Sequence, residues 1–102
     1  MESDKKIIKT VKEIQKNYRE GYKLKTNKAI FQHILKQISK HITKLNDLEG
    51  NKAMQYRLKR EIADMYLLSL GLVDLEKVNN QIIKDSADYY LNKVKENIKT
   101  YR

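Results

Sequence analysis

Apolar residues recur every three or four positions in four blocks of this chain, a spacing that places them along one side of an α-helix. The chain has no proline, and its three glycines fall between the blocks, where turns are expected. The pattern predicts helices over about residues 4–18, 27–46, 52–70 and 74–99, with turns at Gly21, Gly50 and Gly71. We therefore predict a single all-α domain over residues 1–102, built as a four-helix bundle with short connections.

The third predicted helix differs from the others because apolar side chains spread around most of its circumference between Ala63 and Val73. A helix that is apolar on nearly all sides is central in its domain or lies in a subunit interface. One bundle of 102 residues would struggle to cover such a segment by itself. We therefore expect the protein to form a homodimer.

The net charge of +9 is concentrated in the first part of the chain. Residues 1–60 carry 16 Lys and Arg against 6 Asp and Glu, whereas residues 61–102 carry 6 against 7. Basic residues recur along the first two predicted helices, at Lys5, Lys9, Lys12, Lys16, Arg19, Lys36, Lys40 and Lys44. These rows predict a surface that could bind nucleic-acid phosphates. The alternative is a solvated outer face, because each row lies opposite an apolar stripe.

The composition also bears on the compartment in which the protein works. There is no cysteine, so disulfide bonds and thiolate chemistry are excluded. No apolar run has the length of a signal peptide or of a membrane-spanning helix. We expect a cytoplasmic protein without a membrane partner.

Tyrosine is unusually frequent, with seven residues against one phenylalanine. The tyrosines are scattered along the sequence, which suits the edges of a bundle or a protein interface. A base-stacking platform is the alternative interpretation.

Glu61 and Asp64 are the strongest candidates for site chemistry. They lie one helical turn apart, and Mg²⁺ is often held by one or two carboxylates together with substrate phosphates. The structural alternative is ion pairing within the helix, because Arg57 and Arg60 each stand four residues before one of the carboxylates. No Ser-His-Asp arrangement or phosphate-binding glycine loop is present, so we predict no catalytic residue.

His33 and His41 are eight residues apart with Gln37 midway, so the three side chains share one side of the second helix. Zinc-binding histidine pairs are more often four residues apart. We expect these to be ordinary polar positions beside the core.

Two segments, FQHILKQISKHITKL (31–45) and EIADMYLLSL (61–70), resemble the core helices of the MazG-like all-α nucleotide pyrophosphohydrolases. That family carries E-E-x-x-E on the first helix and E-x-x-D on the second, and these carboxylates bind the Mg²⁺ that supports hydrolysis. Glu61 and Asp64 match the E-x-x-D, whereas Lys36, Gln37 and Lys40 occupy the region of the E-E-x-x-E. Over residues 27–80 the resemblance implies the bundle and a dimer, but it does not imply the hydrolase activity.

The sequence therefore favours a small basic helical protein that acts by binding a nucleotide or a protein partner and not by catalysis. Two alternatives stay open. The first is a nucleic-acid-binding protein that uses the lysine rows. The second is a nucleotide pyrophosphohydrolase with Mg²⁺ as its cofactor, in which Glu61 and Asp64 are metal ligands.

Overall fold

The computed structural model describes residues 2–101, with side chains described for residues 4–99. Four α-helices make up nearly all of this part of the chain, and it contains no strand: α1 (Glu2–Glu20), α2 (Asn27–Leu48), α3 (Gln55–Leu75) and α4 (Asn80–Tyr101). A short 3-10 turn over Lys52–Met54 leads into α3. The prediction of an all-α, bundle-like domain is confirmed.

Two of the predicted turns lie where glycine was expected to allow them. The chain leaves α1 at Gly21, and α2 begins after Thr26, whose Oγ1 accepts a hydrogen bond from the Ala29 N–H at 3.1 Å. This bond satisfies one of the free N–H groups at the helix start. At the other end of α2, Gly50 has φ of +78°, a left-handed conformation that glycine adopts without steric cost.

The third predicted turn is wrong, because Gly71 lies inside α3. A Cβ on this residue would lie 3.4 Å from Ile34 Cδ1 and 3.5 Å from Gln15 Nε2, which are ordinary van der Waals distances. The prediction that the fourth helix starts at residue 74 is also wrong, because α4 begins at Asn80. The chain turns over residues 76–79, and the Asn79 Oδ1 accepts a hydrogen bond from the Ile82 N–H at 3.0 Å.

The core lies between α2 and α3, which pack along one another, and α1 packs mainly against α3. Ile30 and Ile34 of α2 are fully buried, and Leu75 of α3 completes their cluster. Partly buried side chains surround this cluster, namely Tyr18, Leu24, Phe31, Ile38, Leu68 and Leu72. The body of the protein is therefore three helices around a small core.

Helix α4 does not pack along any of the other three helices. Every side chain from Asn80 to Lys99 is exposed. The radius of gyration of 16.7 Å exceeds the value of about 13 Å for a compact domain of 100 residues. Within the part of the chain that is described, no helix has the length and apolar character needed to cross a membrane.

Candidate functional site

A pocket of about 280 Å³ opens between α1, α2 and α3. Helix α2 lines it with His33, Gln37 and His41, which project together because they are four residues apart. Helix α3 contributes Asp64 and Gly71 to the lining. The shared side of His33, Gln37 and His41 was expected from their spacing, but their position in a pocket was not.

Gln15 is the buried polar residue of the pocket wall, with 2% of its surface exposed. Its Nε2 donates a hydrogen bond to the Gly71 carbonyl oxygen at 2.7 Å, which ties α1 to α3. Its Oε1 is buried and has no hydrogen-bond partner among the described residues. Native proteins pair nearly all of their buried polar atoms, because an unpaired one costs about 1–3 kcal/mol. Gln15 therefore leaves an unpaired acceptor within the pocket wall, and a bound donor reaches it only when the side chain turns towards the pocket.

Three aromatic rings meet at one end of the pocket. The Tyr18 and His33 centroids are 4.8 Å apart, those of Tyr22 and His33 are 5.4 Å apart, and all three pairs meet edge to face. Burial raises the pKa of Tyr18, and the neighbouring Tyr22 adds to this effect, so the Tyr18 phenol stays neutral. Tyr18 is half-buried, whereas Tyr22 is exposed at the rim. The structure thus brings together two tyrosines that the sequence shows only as scattered residues.

Glu61 and His41 form an ion pair close to the other end of the pocket. The His41 Nδ1–H donates to the Glu61 carboxylate, and the Lys44 ammonium lies 3.9 Å from the second carboxylate oxygen. The hydrogen bond from His41 lowers the pKa of Glu61, and the positive charges of His41, Lys44 and Arg57 lower it further, although burial opposes them. Glu61 is thereby held as a carboxylate in a buried position.

Asp64, by contrast, makes no hydrogen bond or ion pair with any residue that the structure describes. The predicted pair between Arg60 and Asp64 does not form, and Arg57 acts on Glu61 only through its charge. Lys40 is not an ion-pair partner of either carboxylate among the described residues, since Lys44 takes that position. Asp64 is half-buried, so its carboxylate faces the pocket as a second acceptor.

The two carboxylates that were predicted to bind a metal come together with a histidine. Ligand atoms of His41, Glu61 and Asp64 all lie within 4.8 Å of one another. Mg²⁺ prefers a shell of oxygen ligands, whereas an imidazole nitrogen with carboxylates is typical of Zn²⁺. The donor set therefore fits Zn²⁺ better than Mg²⁺. A metal ion between His41 and Glu61 would replace the proton that they now share.

The sequence did not predict that His41 pairs with Glu61 and lies beside Asp64, as it does in the structure. The two residues are 20 positions apart, so helical spacing could not reveal their contact. The only signal in the sequence was the placement of His41 beside the apolar stripe of α2, which points it towards the neighbouring helices.

The basic residues predicted to bind nucleic acid are all exposed, namely Lys5, Lys9, Lys12, Lys16, Arg19, Lys36, Lys40 and Lys44. The row on α2 runs beside the pocket. Lys36, Lys40 and Lys44 each follow a pocket residue of α2 by three positions, which is about 60° around the helix. This row therefore places positive charge next to the pocket opening, and Lys44 also reaches Glu61.

No family model, no curated protein and no solved structure matches this chain.

Proposed function

We propose that the protein is a nucleotide-binding helical bundle that does not act as an enzyme. The base occupies the pocket between α1, α2 and α3, and the phosphates lie outside it beside the lysine row of α2. The buried Gln15 Oε1, which lacks a donor, carries this proposal. The pocket volume of about 280 Å³ is near the lower end of the range for ligand sites, about 300–1,000 Å³, and suits a base with its sugar.

The hydrogen-bonding character of the pocket supports a ligand that is rich in donors. Gln15 Oε1 and the Asp64 carboxylate are both acceptors without a partner among the described side chains. Amino and imino N–H groups of adenine, cytosine and guanine are donors of the kind these acceptors need. A carboxylate that meets two adjacent N–H groups of guanine would make the stronger, charge-assisted contact.

The aromatic end of the pocket supports a flat ligand. Tyr18 and His33 form its wall, and Tyr22 stands exposed at the rim. Stacking of a base on an aromatic side chain contributes about 1–3 kcal/mol in proteins that bind single nucleic-acid strands. Tyr22 is the side chain most free to turn onto a bound base.

The positive charges around the pocket support a ligand whose anionic groups lie outside the pocket. The net charge of the chain is +9, and Lys36 and Lys40 stand beside the opening with exposed ammonium groups. A phosphate group held there would gain charge-assisted hydrogen bonds and would make binding weaker at high salt.

The same site argues against pyrophosphate hydrolysis with Mg²⁺. Helix α2 brings His41 to Glu61 and Asp64, and it carries Lys36, Gln37 and Lys40 in the region where the MazG-like family has its E-E-x-x-E glutamates. A nucleotide bound with its base on Asp64 would also use one of the three candidate metal ligands for base recognition. The resemblance to that family therefore supports the bundle and the ligand class, but not turnover.

The test is calorimetric titration of the purified protein with the four ribonucleoside monophosphates and with guanosine. We expect one site per chain, a preference for bases with amino groups, and affinity that falls with salt for the nucleotides but not for guanosine.

Gln15→Met and Asp64→Asn should each weaken binding by about 10- to 100-fold, since each leaves donors of the base unpaired. Asp47→Asn, on the exposed end of α2, is the matched control and should bind as the wild type does. Absence of binding by all five compounds at millimolar concentration would overturn the proposal.

A second function, divalent metal binding, is favoured by one specific observation, the cluster of His41, Glu61 and Asp64. Titration with Zn²⁺ should release protons and tighten as the pH rises, because the metal replaces the proton between His41 and Glu61. Glu61→Gln should weaken Zn²⁺ binding by more than about tenfold and leave nucleotide binding intact. His33→Gln should weaken nucleotide binding and leave Zn²⁺ binding intact. Zn²⁺ binding that is unaffected by Glu61→Gln would exclude this cluster as the site.

A further inference from the structure

We propose that α4 packs against a second copy of this chain, along the outward side of α3. The arrangement is a two-fold dimer in which the α4 of each copy packs on the α3 of the other copy. It is independent of the nucleotide proposal, because it uses the side of α3 that faces away from the pocket.

Helix α4 carries an apolar stripe that no other described residue of its own chain covers. Ile83, Ala87, Tyr90, Val94 and Ile98 follow steps of three and four residues and therefore share one side of the helix. All five are exposed, with 68% of Tyr90 and 52% of Val94 accessible. Isolated helices are marginal in water, and most helical stability in proteins comes from packing of an apolar face. A 22-residue helix with this stripe needs a surface to pack on.

Helix α3 supplies such a surface on the side away from α2. We call Ile62, Tyr66, Leu70 and Val73 the α3 outer stripe, because their spacing of four, four and three residues aligns them on one side. Ile62 and Tyr66 are 53% and 58% exposed. Leu70 and Val73 line a second, mostly apolar cavity of about 350 Å³ that also borders α1. The outer stripe is therefore an open apolar groove at one end and an exposed ridge at the other.

A second copy is the partner that fits both features together. In a two-fold dimer, each α4 packs on the α3 outer stripe of the other chain, so both apolar stripes are covered. The two-fold symmetry limits the assembly to two chains. The turn over residues 76–79 separates α4 from the three-helix body, and α4 packs along none of the other helices of the described chain.

Area and charge both agree with this partner. Helices α3 and α4 have 21 and 22 residues and are each about 32 Å long, so a contact strip about 10 Å wide along their full length, which extends beyond the α3 outer stripe, buries about 1,300 Å² when counted on both surfaces and for both copies. Stable specific interfaces bury about 1,200–2,000 Å². The half of the chain that forms the contact, residues 61–102, carries 6 basic and 7 acidic residues. Two copies can therefore meet there without bringing their strongly basic halves together.

Engineered cysteines test the contact directly, because the natural chain has none. A chain carrying Val94→Cys is mixed with a differently tagged chain carrying Tyr66→Cys, and disulfide formation is followed by gel electrophoresis under mild oxidation. We expect a mixed cross-linked dimer as the main product. Asn92→Cys, on the opposite side of α4, is the control and should cross-link to Tyr66→Cys at least about tenfold more slowly. Equal rates for positions 92 and 94 would overturn the proposed contact.

Sedimentation of the full chain tests the assembly itself. We expect a dimer at micromolar concentration, and Val94→Asp should raise its dissociation constant by at least about 30-fold because it places a charge at the centre of the contact. Asn92→Asp should leave the constant within about threefold of the wild type. Val94 contacts no other helix of its own chain, so helical content measured by circular dichroism should stay near the wild-type value at concentrations where both chains are dissociated. A wild-type chain that stays monomeric at 100-fold higher concentration, or a dimer that Val94→Asp does not weaken, would contradict the proposal.

Discussion

The two sides of α3 differ in what covers them, although both are apolar. Its inward side, with Leu68, Gly71 and Leu75, packs against α1 and α2 and forms a wall of the pocket. Its outward side, with Ile62 and Tyr66, has no covering helix in the part of the chain that is described. One helix therefore forms a wall of the pocket on one side and an exposed apolar surface on the other. This explains why apolar residues spread around nearly its whole circumference.

The largest difference between the two sides should appear in the free energy of unfolding. Ile34→Ala removes a fully buried side chain that packs on the inward side of α3, and we expect a loss of about 3–4 kcal/mol. Ile62→Ala, on the outer stripe, should cost less than about 0.5 kcal/mol in dilute solution. Urea unfolding at low and high protein concentration is the measurement. The loss of unfolding free energy caused by Ile62→Ala should grow with protein concentration, because dimerisation stabilises the folded chain.

A second prediction contrasts stability with binding at Gln15. Gln15→Met removes a buried acceptor that lacks a partner, together with one hydrogen bond to the Gly71 carbonyl. Relief of the unpaired acceptor outweighs the lost bond, so the ligand-free protein should gain about 1 kcal/mol of unfolding free energy while nucleotide binding weakens. Thermal unfolding with and without nucleotide checks both parts. A variant that is destabilised by more than 1 kcal/mol would show that Gln15 serves the packing of α1 on α3 and not a ligand.

Substitutions at Gly71 should have a smaller effect and test how closely α1 and α2 pack on α3. A Cβ here would meet Ile34 and Gln15 at ordinary van der Waals distances, and alanine favours helix over glycine by about 1 kcal/mol. We therefore expect Gly71→Ala to raise the unfolding free energy by about 0.5 kcal/mol, whereas Gly71→Leu should lower it because the larger side chain enters the pocket. Both are read from urea unfolding curves. Equal effects of the two substitutions would mean that α1 lies farther from α3.

The pH dependence of stability distinguishes Glu61 from the exposed carboxylates. The hydrogen bond from His41 holds the pKa of Glu61 below its ordinary value of 4.5, so ionised Glu61 stabilises the folded chain above that pH. This contribution is lost as the pH falls through the lower pKa of the folded state. Unfolding measured from pH 7 to pH 3 should therefore show a flatter acid limb for Glu61→Gln. Glu49→Gln, at the exposed end of α2, should keep the slope of the wild type.

The sequence was a good guide to the helices and a poor guide to the site. The 3.6-residue period of the apolar positions is a local property, so it predicted four helices with their ends in most cases within a few residues. The turn predicted at Gly71 was wrong because a glycine favours a turn without requiring one, and here it lies buried within α3. The ion-pair prediction for Arg60 failed because helical spacing permits such a pair without requiring it.

The pocket could not be predicted because its contacts join residues that are distant in the chain. Gln15 and Gly71 are 56 positions apart, and His41 and Glu61 are 20 apart. Which polar residues meet depends on how α1 and α3 are rotated about their axes, and a single sequence contains no direct measure of that rotation. Glu61 and Asp64 were identified correctly as neighbours, but the histidine beside them was not.

The most direct measurement is an ¹⁵N-labelled NMR titration of the full chain with guanosine monophosphate. We expect the side-chain amide of Gln15 and the backbone amides of Asp64 and Gly71 to shift together with a single affinity. Amides of residues 82–99 should not move, because α4 lies away from the pocket. Shifts confined to the lysine rows, or shifts along α4 without any at Gln15, would contradict a base-binding site between the first three helices.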